Sequence, residues 1–410
     1  MKVLISAFGC APDRGSEPGV GFRAVMAAAQ RHEVWLLTTE HSAPPMRSLL
    51  DRDDRAGRIH IEQVDLGLKE EQELVRFGLP GFHWHYDRWQ RRAATRALEL
   101  DRRIDFDVVH HVTIAAYWLR VGVAAVDKPM VWGPVGGAVS TPWPLAGELG
   151  LRGIVSDGLR VVVRPLLGRL PPSRAAQRRA SIVFAQNAET AAKIHTPGHL
   201  QVLSNATAVD VDSVPLPRRR RDDLVFVGRL IPLKGLRLAV RTLRYLQHEG
   251  SVLRVLGDGP ERAPVERLVR RWGLTDRVCF EGFVPRARLL EIVGGAGALL
   301  YPALHDEAPW SMAEALSLGT PVVSLAHGGP AELARLWPDS PSETVESSTP
   351  GETARRLSAA VDRLLDAALP IPARPLPPRV SFGDNLFAAY DAAVEGRPLV
   401  IGSDPQRRTG

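Results

Sequence analysis

Residues 226–235 read FVGRLIPLKG, a short apolar run that ends at Gly228 and hands Arg229 and Lys234 to a loop opening the helical stretch LRLAVRTLRYLQHEG. A strand that gives way through glycine to a helix is the unit from which doubly wound parallel sheets are assembled, and such sheets hold ligands at the carboxyl ends of their strands. Two cations five residues apart at such a turn can face one anion. The chain has only five lysines, so a lysine here is hard to read as a generic solvated charge.

The same grammar continues outward from that stretch. VLGDGPER, residues 255–262, is another apolar run entering a glycine turn at Gly257, although glycine serves plain turn geometry as well as ligand approach. FEGFVPRARLL, residues 280–290, places Phe283 and Val284 just past a strand end, where their backbone groups could bond a base edge and their side chains suit core packing equally well. In ALLYPALHDEAPWSMAEALSLGTPVVSLAHGGPAEL, residues 298–333, Asp306 and Glu314 bracket a strand-to-helix turn. The helix there points its positive end toward an anion, and Glu314, one turn inside, can accept hydrogen bonds from ribose hydroxyls.

Together with LVFVG and PVVSLA these runs predict a doubly wound domain over residues 222–370. The amino-terminal half repeats the pattern: KVLISAF, a Gly-rich turn, the helix FRAVMAAAQRH, the strand EVWLLTT, then IHIEQVD, a basic aromatic stretch at 76–92, FDVVHHV and PMVWGPVGG. It predicts a second α/β domain over residues 1–210, with PLPRRRRDD at 215–223 as the linker. Residues 338–351 read as a polar loop, and helices are expected near 354–368 and 381–396, the last packing back on the amino-terminal domain. The fold class expected is therefore α/β, two Rossmann-like parallel-sheet domains facing across a cleft, with a disordered tail after about residue 397.

Bulk properties agree with that reading. At 410 residues the chain exceeds one core and suggests two domains of roughly 200 residues. Composition is globular, 45% hydrophobic and 24% charged, and no run approaches the ~20 apolar residues that span a bilayer. The first residues read as a strand rather than a signal peptide. Cys10 and Cys279, far apart and each beside a strand, are expected to be buried free thiols, which suits a cytoplasmic setting. The net charge of +6 suits an anionic partner.

The four carboxyl-terminal stretches resemble glycosyltransferase family 4, the group 1 glycosyltransferases, retaining enzymes of the GT-B fold. The resemblance implies that Arg229 and Lys234 hold the diphosphate of a nucleotide-sugar donor, that Asp306 binds its sugar and that Glu314 binds its ribose. Gly228, Gly257, Phe283, Val284, Glu307, Ser311 and Met312 fall at further donor-binding positions. In the amino half APDRGSEPGVGF is similar to the family's first Gly-rich loop, with Gly15 and Ser16 beside donor phosphate. FDVVHHV resembles its acceptor-side histidine strand and WGPVGG, with Gly136 and Gly137, its next strand end. Asp306 stands where glutamate is commoner, Glu307 and Pro309 replace glycines, and the histidines are adjacent, His110 and His111, where the family alternates them. Successive strand residues point to opposite faces, so one of the two is expected to support catalysis.

No cofactor and no metal are expected. The Asp-x-Asp pairs at 51/53, 105/107 and 210/212 do not follow a strand as a metal-binding turn would. The expected partners are the nucleotide-sugar donor and a small-molecule or lipid-linked acceptor. The basic and apolar stretches at 76–92 and 159–179 either touch an anionic membrane, at the inner face of the plasma membrane, or form solvated faces. A nucleotide-sugar epimerase or hydrolase of the same fold is the alternative enzyme. Nucleic-acid binding is disfavoured because aromatic residues do not interleave the arginine runs.

Overall fold

The structure is a computed structural model and describes residues 1–12, 16–51, 53–66, 70–208, 211, 220–367 and 378–401. Two compact units emerge: Met1–Ala138 with Val163–Ala208 and Val380–Gly410, and Val139–Val162 with Val209–Arg379. Neither unit is one continuous span of the chain, and packing explains both insertions. Leu145 and Leu149 lie in the core of the second unit, and Glu148 pairs there with Arg241 at 3.1 Å. The helix Phe382–Glu395 packs within the first unit, where Phe382 meets Phe184 edge-on at 5.8 Å and its amide donates to the Thr207 hydroxyl at 2.9 Å.

The first unit is built on seven parallel strands: β1 Lys2–Ser6, β2 Glu33–Thr38, β3 Ile59–Gln63, β4 Val108–His111, β5 Met130–Val135, β6 Ala180–Ala185 and β7 His199–Val202. Their order is β3-β2-β1-β4-β5-β6-β7. The second carries β8 Arg220–Val227, β9 Val252–Leu256, β10 Val278–Gly282, β11 Ala296–Tyr301, β12 Val322–Leu325 and β13 Ser342–Val345, in the order β10-β9-β8-β11-β12-β13. Both sheets are therefore doubly wound, with the order reversing between β1 and β4 and between β8 and β11. Central strands are apolar throughout because both faces are covered, as in VLIS of β1 and AGALLY of β11, buried along their length.

Several elements differ from the sequence reading. The residues expected as a polar loop contain β13, whose SETV is a half-buried edge strand paired with β12. β6 and β7 extend the first sheet beyond the strands expected there. The basic aromatic stretch belongs to a single helix, Glu70–Ile104, whose Tyr86, Trp89, Ala93, Ala97 and Leu100 recur every three or four residues and are buried. β8 begins at Arg220, inside the expected linker; residues 212–219 and the stretch at 371–377 lie outside the described residues, as do Asp210, Asp212 and the tail from 402. Cys10 is buried, but Cys279 is exposed on the edge strand β10, so only one of the two thiols is enclosed. Among the described residues no helix is long and apolar enough to cross a membrane.

Candidate active site

In the second unit the carboxyl edge between β8 and β11 is the topological switch point, where an open α/β sheet leaves a crevice for ligand. The loop after β8 runs through Gly228, with φ 151°, the exposed Arg229 and a short turn at Pro232–Lys234. It closes at Gly235, whose φ of 74° starts the helix Leu236–Leu243. A Cβ at Gly235 would lie 2.0 Å from the Pro302 carbonyl, so only glycine allows this loop to press on the one after β11. The amides of Leu304 and His305 both donate to the Leu233 carbonyl, at 2.8 and 3.2 Å. The turn at Gly257 is tied in as well: its amide donates to Gly282 at 2.8 Å, and a Cβ on it would meet the Gly228 carbonyl at 2.0 Å.

This stitching brings Lys234 and Asp306 together as an ion pair. Lys234 also donates to the Tyr301 hydroxyl at 3.2 Å, and that hydroxyl donates to the same Asp306 oxygen at 2.5 Å. Burial works to discharge the ammonium, but the neighbouring Tyr301 oxygen and Asp306 carboxylate outweigh it, and the Lys234 pKa rises above its ordinary value. Lys234 is thus a fixed cation. Burial, with Asp306 beside it, raises Tyr301 also, so the phenol stays protonated. Among the described residues Arg229 meets no carboxylate.

Asp306 and its neighbour do different things. The Glu307 carboxylate accepts the Val139 amide at 3.0 Å, and a Cβ on Gly329 would meet the Glu307 carbonyl at 2.4 Å. Glu307 thus ties residues of its own unit together. Nearby, His305 at 3.7 Å and the Thr141 amide at 3.2 Å hold the Asp157 carboxyl down to about 2. The helix Trp310–Ser317 follows, with Ser311 half-buried at its start. Met312 is fully buried and its amide donates to the Pro309 carbonyl at 3.1 Å, so it packs beneath the turn and presents no side chain to a ligand.

Glu314 is buried and forms an ion pair with Arg286, the first residue of the helix Arg286–Gly295 after β10. Phe283, just upstream, is 85% exposed and Val284 is half-buried, so the phenyl ring is no part of a core. Arg286 and Tyr301 are the residues that sequence reasoning missed. Arg286 lies in the quoted FEGFVPRARLL, but only the fold shows that its guanidinium meets Glu314.

The other predicted residues lie in the first unit. Gly15 lies outside the described residues, and Ser16 opens the helix Ser16–Ala28. Gly136 continues β5 through a bridge to Ala116. Gly137, with φ 106°, lies under Trp118, whose ring would be 2.0 Å from a Cβ there. His110 and His111 are both fully buried, and both nitrogens of each ring are bonded. His110 Nε2 donates to the Gly133 carbonyl at 2.9 Å, leaving Nδ1 to accept the Tyr390 hydroxyl at 2.8 Å. Tyr86 donates to the Ile114 carbonyl at 3.3 Å and accepts from His111 Nε2 at 3.0 Å, so Nδ1 accepts from Ser6 at 3.3 Å. Burial pushes the imidazoles down to about 4 and about 3, so they are neutral members of a packed network. Glu17, also missed, accepts the Ile114 amide at 2.8 Å, where Ile114 holds a left-handed φ of 54° that a β-branched residue rarely adopts. Burial raises the Glu17 pKa.

Residues 213–367 match the family model described as glycosyl transferases group 1. The chain is 35% identical over 159 residues to the 2-deoxystreptamine glucosyltransferase of Streptomyces kanamyceticus, a match covering 38% of this chain and 39% of that enzyme. It thus spans little more than a third of the length of the curated relatives it matches. Among solved structures, Anabaena HepE in complex with UDP superposes with a TM-score of 0.54 at 16% identity, covering 90% of this chain and 94% of that one. The lipopolysaccharide outer core galactosyltransferase WaaB does so with a TM-score of 0.56 at 14% identity, covering 97% and 98%. The fold is the GT-B type, two Rossmann-like parallel-sheet domains in one chain. Residues 213–367, which carry Lys234, Asp306 and Glu314, are the part of the chain that is similar to the group 1 glycosyl transferases.

Proposed function

We propose that the protein moves a glycosyl group from a nucleoside diphosphate-sugar to an acceptor hydroxyl, with retention and without a metal. The observation that carries the reading is Lys234 fixed at the β8–β11 switch point by Asp306 and Tyr301. An ammonium has three N–H donors; two are taken here and the third is left for a diphosphate oxygen. Negative charge builds on the diphosphate as the anomeric bond breaks, and cations aimed at that charge stabilise the transition state more than the ground state. Lys234 and the exposed Arg229 fill this role. Asp306 Oδ2 is engaged, and Oδ1 serves a hydroxyl of the donor sugar. Glu314, oriented by Arg286, serves the ribose. Retention is served by a donor phosphate oxygen that takes the acceptor proton on the face the nucleotide leaves. The HepE complex with UDP and the glucosyl-transferring relative support a nucleotide-sugar donor.

The acceptor is a small molecule or a lipid-linked one, and a peripheral contact with an anionic membrane, from the cytoplasmic side, belongs to the same reading. Leu151, Val155, Leu159 and Val162, each more than half exposed, recur along one side of the helix Gly150–Gly168. Flotation with anionic vesicles, lost in Val155→Glu with Leu159→Glu, tests that contact. The decisive experiment for the reaction is a thermal-shift screen of nucleotide sugars on the protein and on Lys234→Ala. A donor raises the melting temperature of the first by mass action and of the second much less. The reading fails if no nucleotide sugar stabilises the protein, or if both chains respond alike. Turnover in a strong chelator and the anomeric configuration of the product by NMR test metal independence and retention.

A further inference from the structure

The first unit contains a cavity of about 520 Å³ made of residues that take no part in the site above. Its walls are the carboxyl end of the helix Gly150–Gly168, the helix Pro171–Arg179, the segment at 192–195 and Tyr117. Arg169, Arg174, Arg178, Lys193 and His195 line it, and no aspartate or glutamate does. Several other arginines of this unit are neutralised: Arg96 by Glu62, Arg120 by Asp87, and Arg179, next in sequence to the cavity, by Asp127. Among the described residues none of the four cavity cations, Arg169, Arg174, Arg178 and Lys193, has a carboxylate partner.

The convergence is built into the fold. Arg174 and Arg178 are one helical turn apart, a like-charge spacing that costs helix stability. The buried Gln177 between them clamps two walls, its Nε2 donating to the Gly168 carbonyl at 3.2 Å and its Oε1 accepting the His195 amide at 3.0 Å. Gly168 itself lets the helix end close on Tyr117, whose ring a Cβ there would approach to 3.0 Å. The volume lies in the range of ligand sites, roughly 300–1,000 Å³. A braced cavity with several unpaired cations and an aromatic wall matches a multiply charged oxyanion with an organic portion attached.

We propose that this cavity binds a phosphate or diphosphate group, at a site separate from the one that holds the donor diphosphate. The guanidinium forks of Arg169, Arg174 and Arg178 suit bidentate phosphate oxygens, Lys193 adds a point charge, and Tyr117 with Pro165 packs against the group that the phosphate carries. The phosphate belongs either to a soluble phosphorylated compound or to a lipid headgroup.

The test uses the full chain carrying Arg229→Gln and Lys234→Gln, so that the donor site contributes nothing, titrated calorimetrically with inorganic pyrophosphate. Binding is expected to persist in this background and to weaken roughly 10-fold or more when Arg174→Gln and Arg178→Gln are added, each removing a charged donor. It should also weaken as salt rises from ~0.05 to ~0.5 M. Both arginines are exposed, so the melting temperature should hold; if it does not, Lys193→Gln replaces the pair. Absence of pyrophosphate binding in the background chain, or binding indifferent to these substitutions, overturns the proposal and leaves the donor site untouched. Co-sedimentation with phosphatidic acid vesicles that pyrophosphate competes away assigns a lipid phosphate. Pyrophosphate binding without such sedimentation assigns a soluble one.

Discussion

The two sheets share one strand order up to β7 and differ in what stands at the point where that order reverses. Between β1 and β4 the chain places Ser6 and His111, bonded directly and with Tyr86 on the other ring nitrogen, in an enclosed and neutral network. Between β8 and β11 it places Lys234, Asp306 and Tyr301, charged and partly open. Topology thus fixes where a crevice can form, and the residues delivered there decide whether it does chemistry or holds the unit together. An imidazole with both nitrogens bonded and its pKa far below neutrality is a poor proton shuttle at pH 7. A lysine kept charged by an adjacent carboxylate is a good electrostatic anchor.

The comparison breaks most readily at Lys234. Lys234→Ala should lower kcat by roughly 10²-fold or more, as loss of one transition-state donor does elsewhere. A change confined to KM would mean that the cation only anchors substrate. Next is Asp306→Asn, which should lower kcat while affinity for free nucleoside diphosphate stays level or tightens, because Lys234 loses its internal counter-charge. Weaker diphosphate binding, measured by calorimetry, would contradict the sugar role. Glu307→Gln should do much less to kcat, since that carboxylate is spent on the Val139 amide. Glu314→Gln should weaken donor and free diphosphate alike, ribose being common to both, and unchanged nucleotide affinity would remove the ribose assignment.

The neutral network gives the smallest effect, one on stability. His110 and His111 titrate at about 4 and about 3 in the fold, below the ordinary 6.5 of the unfolded chain. Below pH 6.5 the unfolded state takes up protons that the folded state refuses, so stability is full above that pH and falls as pH drops toward 4. The urea midpoint should decline across this window, and less steeply in His111→Asn. A flat midpoint in the parent protein would mean that the imidazoles are not held neutral.

The second unit was the more legible one because each of its loops announces itself: an apolar run, a glycine, then a charge, as in FVGRLIPLKG. What stayed hidden depends on pairs distant in the chain. Nothing local says that Arg286 meets Glu314, or that Glu307 rather than Asp306 takes the Val139 amide. β13 was missed because SETV is polar, and its strand character comes from pairing with β12. A strand-end His-His reads alike in sequence whether its partners are substrate or Tyr86 and Tyr390, and only the fold shows the two tyrosines. The segment around Leu145 is continuous in sequence with the first unit, whereas its apolar residues bury in the second core.

The unequal placement of the two thiols also offers an experimental handle. Burial drives the Cys10 thiol pKa up and shields its sulfur, so it is slow to form the thiolate that alkylating reagents attack. Cys279 stands exposed on β10, at the far edge of the sheet from β13 and two strands from β8. A maleimide fluorophore added to the native protein should therefore label one known position in the second unit without any engineered cysteine, giving an optical reporter for the proposed donor binding and a fixed reference point for distance measurements to the other unit.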